Sequence, residues 1–410
     1  MKTGSFVQKM FREYYARDFS LNAGLSLIER REFGFAPFEG GMHRHKSFKN
    51  EDELITFVRD ITPKDAYLSC AYYETPTAEM EKKGWLGADL IFDIDADHLP
   101  THCDKVHDKW TCSVCGSTGN GTEPEKCSKC HGEKFEVSKW PCENCLDSAK
   151  TETRKLLDIL VQDFGFSEKE MQIFFSGHRG YHVHVAGNGI KTLDSVARRE
   201  IVDYIYALGL EYAFHGLDDK IWDAPYGERK RYAKDLGWSG RIARSVQDFV
   251  LKAKQENYAK IGLEKNVINA IIKKKDEILK KWNDVGFQNT VKGASFQTWK
   301  KIAEFCVDCQ SAKIDTVVTT DIHRLIRMPG TLHGKTGLIK KELLIPDLKN
   351  FDPFRNAVAF RKGTADVFVS NSPKFRLSDE TFGPYENEKV ELPTAAAILL
   401  VCKGRGEVVE

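Results

Sequence analysis

Leu90-Ile91-Phe92-Asp93-Ile94-Asp95 reads as a β-strand with two different faces. Side chains alternate along a strand, so Asp93 and Asp95 project together while Leu90, Phe92 and Ile94 can fill a core. Two carboxylates on one sheet face repel each other. A hard divalent cation such as Mg²⁺ or Mn²⁺ relieves that repulsion and still accepts substrate phosphates. Nucleotidyl transfer uses such a clamp, with two ions about 3.5–4 Å apart on the attacking and leaving oxygens. A pair of solvated acids at a strand end would look the same, so the motif needs partners. Asp97 could extend the acidic ladder, near the strand end.

Two further segments carry groups of the complementary kind. Ser176-Gly177-His178-Arg179-Gly180-Tyr181-His182 lies between two apolar runs. Its glycines allow a tight turn and close approach to a ligand, and Ser176, Arg179 and His182 offer the donors a triphosphate wants. A plain hairpin turn is the competing reading. The stretch from Ile314 to Leu338 holds Asp315, then Arg324, Arg327, His333 and Lys335, among Pro329, Gly330, Gly334 and Gly337. One acid followed by a cation cluster suits a third metal ligand beside a phosphate cradle; a surface loop with scattered charges is the alternative.

Around these segments the chain reads as a mixture of elements. Helices are expected at Phe6–Arg17, Glu51–Asp60, Thr151–Phe164 and Asp194–Leu208, and after Pro393. Strands are expected at Arg30–Ala36, Met42–Phe48, Ala66–Tyr73, Ala88–Asp95, Gln172–Phe175 and Tyr181–Val185, and a strand-rich stretch between Thr316 and Ile345. Arg241–Trp282 reads as mainly helical and rich in lysine, which suits either a solvated helix face or contact with DNA. The elements lack the regular spacing of a Rossmann fold, so a mixed α/β or α+β core is expected. Of 410 residues, 41% are hydrophobic, enough for a sizeable core, and 61 basic against 60 acidic residues give a net charge of +1. This balance leaves nucleic-acid binding to a local surface rather than to overall charge. No apolar run reaches the length of about 18 residues that a membrane helix needs, and Met1–Ser20 lacks the apolar core of a signal peptide. Cysteines spaced as Cys-x-x-Cys in such a chain favour metal over disulfide, in a reducing cytoplasm.

With these segments in view, the sequence closely resembles the small catalytic subunit of archaeo-eukaryotic DNA primases, in its archaeal form. The resemblance rests on Asp93-Ile94-Asp95, on Ser176 to His182, and on His323-Arg324-Leu325-Ile326-Arg327 continuing to Leu332-His333-Gly334-Lys335-Thr336-Gly337-Leu338. Arg31-Glu32-Phe33-Gly34-Phe35 and Arg44-His45-Lys46-Ser47-Phe48 add to it. It implies that Asp93, Asp95 and Asp315 hold catalytic Mg²⁺ or Mn²⁺. It further implies that Ser176, His178, Arg179, His182, Arg327, His333 and Arg31 contact the nucleotide, with Arg44 and Lys64 as helpers. The implied fold is a discontinuous catalytic core related to the RNA-recognition motif. Its expected segments are residues 1–100, 148–210 and 306–410, with a zinc-binding insert at 101–147 and a mainly helical, lysine-rich insert at 211–305. The implied activity is synthesis of short primers from NTPs, and dNTPs as an extension, on single-stranded DNA in replication. The implied partner is a large subunit carrying an iron–sulfur cluster, and the expected location is the cytoplasmic replication fork. A non-catalytic zinc-containing nucleic-acid-binding protein and a metal-dependent nuclease are the competing readings.

The cysteine-rich insert carries its own chemistry. Cys112-x-x-Cys115 and Cys127-x-x-Cys130 form a strong zinc signature, since each turn offers two thiolates to one tetrahedral ion. Cys142-x-x-Cys145 is a third such turn, and Cys142 to Lys150 resembles the second half of the family's zinc knuckle. Cys103 and His107 then supply its first half. The eight ligands divide into two four-ligand structural sites, with His98, His102 and His131 as spare donors. Cys306-x-x-Cys309 has no second pair nearby and reads as ordinary thiols.

Overall fold

The computed structural model describes residues 3–21, 24–99, 101, 103–215, 235–281 and 291–409. Among them the chain forms two compact units. One gathers the residues up to Thr153, Glu168–Arg199 and Ile314 onward; the other gathers Arg154–Ser167 and Glu200–Lys313.

The first unit mixes helices with open antiparallel sheets. Four strands form one sheet in the order Leu325–Arg327, Asp65–Ser69, Phe33–Ala36, His43–Lys46. A second has the order Lys341–Leu343, Met171–Phe175, Gly180–Val185, Leu90–Asp95. Aromatic residues of the Thr3–Arg17 helix, Phe11 and Tyr15, pack with Phe33, Phe35, Leu54, Val58, Met328 and Ile398 in one continuous core. The Glu51–Ile61 helix starts where its sequence says it should: Asn50 accepts from the amide of Glu53, and three acids fill the first turn.

Several expected boundaries move. The apolar run Ala66–Tyr73 is two strands, Asp65–Ser69 and Ala71–Tyr73, parted at Cys70. Ala88–Asp95 is likewise parted at Asp89, between Trp85–Ala88 and Leu90–Asp95. The two breaks face each other, since Ala71 pairs with Ala88 and the Asp89 amide donates to the Cys70 carbonyl. There both chains leave one sheet for another, which hydrophobicity alone does not mark. Thr316–Thr320, rich in β-branched residues, is a helix because Asp315 caps it, accepting from the amides of Val317 and Val318. The helix expected from Thr151 begins at Glu143, with the Cys142 sulfur accepting from the Cys145 amide in its first turn.

The insert carries a three-stranded sheet, Thr118–Asn120, Lys109–Cys112 and Phe135–Ser138. Trp110 and Phe135 meet edge-to-face at 5.4 Å. A further sheet, Tyr385–Pro393, Thr364–Ser372, Gly406–Val408, lies beside the Thr394–Cys402 helix. The second unit is helical among its described residues, packing Trp238, Val246, Tyr258, Ile271, Trp299 and Ile302 together. Arg241 is buried there between Asp158 and Asp163.

Candidate active site and metal centres

The Leu90–Asp95 strand keeps the expected alternation. Leu90, Phe92 and Ile94 are fully buried, while Asp93 and Asp95 remain partly exposed. Its neighbour in the sheet is Gly180–Val185, with His182 opposite Asp93 and Gly180 opposite Asp95. His182 Nε2 lies 3.6 Å from Asp93 Oδ1. Gly180 is dictated by sterics: a Cβ there would sit 2.1 Å from the carbonyl oxygen of Ile94.

Asp315 joins this strand through the backbone. Its amide donates to the carbonyl of Asp93 at 2.7 Å, and its Oδ2 lies 3.9 Å from His98 Nε2. The Asp93 carboxyl is pushed up to about 7, first by lost hydration and then by Asp95 and Asp315. Burial also raises Asp95, against the opposing pull of Arg179, His98, Lys139 and Lys403. Asp95 and Asp315 thus both oppose ionisation of Asp93.

Two loops bring cations to the same place. Ser176 Oγ accepts from the amides of His178 and Gly180 and so closes the 176–180 turn. Thr336 donates to the carbonyl of Gly177, docking the 331–340 loop onto that turn. The His178 and His333 rings stack at 5.0 Å. Burial, helped by the surrounding lysines and Arg327, pushes both imidazoles well below their ordinary range, so they are neutral donor–acceptors. Arg327 pairs with Asp65 and lies over the Tyr67 ring at 5.2 Å. Gly334 packs on the side chains of Asp65 and Lys64 and donates its amide to Asp65.

Two arginines of the expected nucleotide set are engaged elsewhere. Arg179 is only 2% exposed and bonds to Asp97, to Asp108 at 2.9 Å and to the Trp140 carbonyl. Arg31 is buried against Asp89 at 2.5 Å, Tyr72 and the Ser69 carbonyl. Arg44 is held by the buried Glu32 at 2.9 Å. Asp108, Lys139, Lys340 and Lys403 went unread in the sequence because none belongs to a motif. Lys340 is wholly buried; it donates to the Arg327 carbonyl at 2.7 Å and bears electrostatically on Asp93.

The insert's eight ligands assemble into the two expected groups, Cys103, His107, Cys142 and Cys145, and Cys112, Cys115, Cys127 and Cys130. In each, the ligand atoms lie within 4.8 Å of one another. Sulfurs lie 3.4–3.5 Å apart in the first group and 3.5–3.7 Å across the second. Tetrahedral zinc with bonds of about 2.3 Å asks for about 3.8 Å, so both donor sets suit it. Cys112 and Cys127 each start a tight turn whose carbonyl accepts from Gly116 and His131, and both residues take positive φ. His131 is therefore a turn residue, and His98 lies beside Asp315 rather than beside either cysteine group; His102 lies outside the described residues. Cys306 is a buried thiol of the helical unit.

Comparison with known proteins agrees with this geometry. The family described as DNA primase small subunit matches residues 136–345. The DNA primase small subunit PriS of Methanothrix thermoacetophila is 34% identical over 429 residues, covering 99% of both chains. The chain belongs to the DNA primase small-subunit family. The PriS proteins of Archaeoglobus fulgidus, 34% identical over 98% of each chain, and of Nitrosopumilus maritimus, 32% identical over 97% of this chain and 96% of its own, agree. The activity is that of a primase, a DNA-directed nucleotidyltransferase of replication. No helix among the described residues is long and apolar enough to cross a membrane.

Proposed function

We propose that Asp93, Asp95 and Asp315 hold the catalytic Mg²⁺ or Mn²⁺ ions, and that His182, Ser176, His178, Arg327 and His333 receive the incoming NTP. The observation that carries this reading is the Asp315–Asp93 backbone bond, which draws an acid more than two hundred residues away onto the Asp93–Asp95 strand. When bound, the ions would lower the cost of ionising a primer 3′-hydroxyl and neutralise the phosphates. The chain's own groups do the rest. Asp93 and Asp95, two residues apart on one rigid strand, fix where that charge sits. His182, opposite Asp93, and the stacked pair His178–His333 offer neutral imidazoles to the phosphates, and Arg327, paired with Asp65 and lying over the Tyr67 ring, offers its remaining guanidinium donors. We take Arg179 and Arg31 as positioning residues, because their donors are occupied by Asp97, Asp108, Asp89 and main-chain carbonyls.

In this reading the two four-ligand groups of the insert carry structural zinc. Residues 1–100, 148–210 and 306–410 make up the discontinuous core, akin to an RNA-recognition motif, and 211–305 the helical insert. The subunit works at the cytoplasmic replication fork on single-stranded DNA with a large subunit that bears the iron–sulfur cluster. A nuclease would use similar acids but has no need for a triphosphate cradle, and a mere binding protein has no need for the third aspartate. The test is template-dependent NTP incorporation with Mg²⁺ or Mn²⁺ by the chain and its Asp95→Ala variant. Undiminished incorporation by Asp95→Ala would end the two-metal reading.

A further inference from the structure

The Thr394–Cys402 helix is strongly apolar, and in sequence it reads as a helix opened by Pro393. Its end is fixed with care. The Lys403 amide donates to the Leu399 carbonyl, Gly404 takes a φ of 65°, and the Arg405 amide donates back to Leu400 at 2.9 Å. This closure sets the backbone of Lys403 and aims its side chain away from the helix.

The ammonium of Lys403 donates to the Lys139 carbonyl at 2.8 Å and lies 2.7 Å from His178 Nε2. His178 is neutral for the reasons given above, so it accepts. Two of three ammonium donors are thus used on neutral acceptors, and among the described residues no carboxylate lies within ion-pair distance of the third. Arg179, Lys335 and Arg405 bear on Lys403 as like charges, against the opposing pull of Cys402 and of Asp95. A largely buried cation beside other cations is poorly compensated until an anion arrives. Lost hydration and those neighbours hold its pKa down to about 7. Lys403 meets the edge of the His178 ring, and His333 stacks on its face.

We propose that Lys403 is a phosphate-contacting residue of the nucleotide site, brought by the C-terminal helix and aimed at the β- and γ-phosphates through the His178–His333 pair. The proposal rests on the reading of the 176–182 and 323–338 segments as a triphosphate cradle. It makes the C-terminal segment part of nucleotide recognition rather than a packing element alone.

The test is equilibrium binding of α,β-methylene-ATP and of AMP to the full zinc-loaded chain with Mn²⁺, alongside KM for ATP and thermal unfolding. Lys403→Met should weaken α,β-methylene-ATP on the order of tenfold or more, with AMP changed little and the unfolding temperature kept. Lys403→Arg should recover part of the loss. Unchanged triphosphate affinity in Lys403→Met would overturn the proposal, and so would equal losses for triphosphate and monophosphate, which mean a positioning role. A drop in unfolding temperature without an affinity change would mark Lys403 as a helix lock and overturn it too. Arg327→Met separates the underlying reading: if it binds α,β-methylene-ATP as wild type does, the cradle itself is misassigned and Lys403 falls with it.

Discussion

The amide of Asp315 donates to the carbonyl of Asp93 at 2.7 Å. Main chain rather than side chain thus brings the third acid in, leaving both carboxylates for other work. Asp315 also caps its own helix, so a substitution must respect both duties. Asp315→Asn keeps an oxygen to accept from Val317 and Val318 but removes the charge. It should keep the unfolding temperature and reduce template-dependent incorporation by about 10²-fold or more. Removing one of the charges that oppose ionisation of Asp93 should also bring the Asp93 pKa back toward the ordinary carboxylate range, as NMR titration would report.

Metal binding at these acids should be steeply acid-sensitive. In the ion-free protein Asp93 loses its proton only at about pH 7, and a cation takes the carboxylate, not the acid. Protons therefore compete with the ion below about pH 7 and have little effect above it. Mn²⁺ affinity, read by electron paramagnetic resonance titration, should fall about fivefold between about pH 7 and pH 6, and further if Asp95 follows. Affinity that stays flat through that interval would remove Asp93 from the ligand set.

The Leu90–Asp95 strand was legible because its alternation is local: Leu90, Phe92, Asp93, Ile94 and Asp95 declare their faces by type, and only the buried Ile91, on the acidic face, does not. The sheet changes at Cys70 and Asp89 were not, since the backbone bond between them is made by residues nineteen apart in runs that stay apolar. The Thr316–Thr320 helix was hidden by β-branched residues, although Asp315 just before it is an ordinary cap signal that could have been read. The long pair Thr364–Ser372 and Tyr385–Pro393 also passed unread, despite the Val-Phe-Val alternation at 367–369. Arg179 carried a motif and so suggested phosphate. What it meets in space, Asp97 and Asp108, is fixed by the insert's docking, which no local pattern encodes.

The insert should hold two zinc ions per chain, and their losses should differ. Cys112→Ser removes a ligand of the group on the small three-stranded sheet, and should leave one zinc and a largely intact first unit. Cys145→Ser touches a fully buried ligand in the helix that starts at Glu143, next to the His107–Asp108 pair. It should also leave one zinc but lower the unfolding temperature and the rate of incorporation. Metal analysis with thermal unfolding checks both, and one zinc per wild-type chain would reject the division into two sites.

Asp108 links the second of those zinc groups to the acidic strand. One of its oxygens receives His107 Nδ1 at 2.7 Å and the Trp140 amide at 2.8 Å, while the other lies 2.9 Å from Arg179. Arg179 goes on to Asp97, two residues past Asp95, and its carbonyl accepts from the Ala96 amide. Removing the Asp108 carboxylate leaves Arg179 with Asp97 as its remaining counter-charge, a loss below the about 3–5 kcal/mol that a wholly unpaired buried charge costs. It also frees the His107 ring, and partners of this kind change metal affinity about 10–100-fold. Asp108→Ala should therefore lower stability in urea and speed zinc loss to a chelator together. Asp108→Asn, which keeps the acceptor but not the charge, should retain zinc better than it retains stability. In the double variant with Arg179→Met, part of the lost stability should return because no under-compensated buried cation is left, while the chelator-sensitive zinc should not recover. A double-mutant cycle with no coupling between positions 108 and 179 would mean that the zinc group and the acidic strand are joined by packing alone.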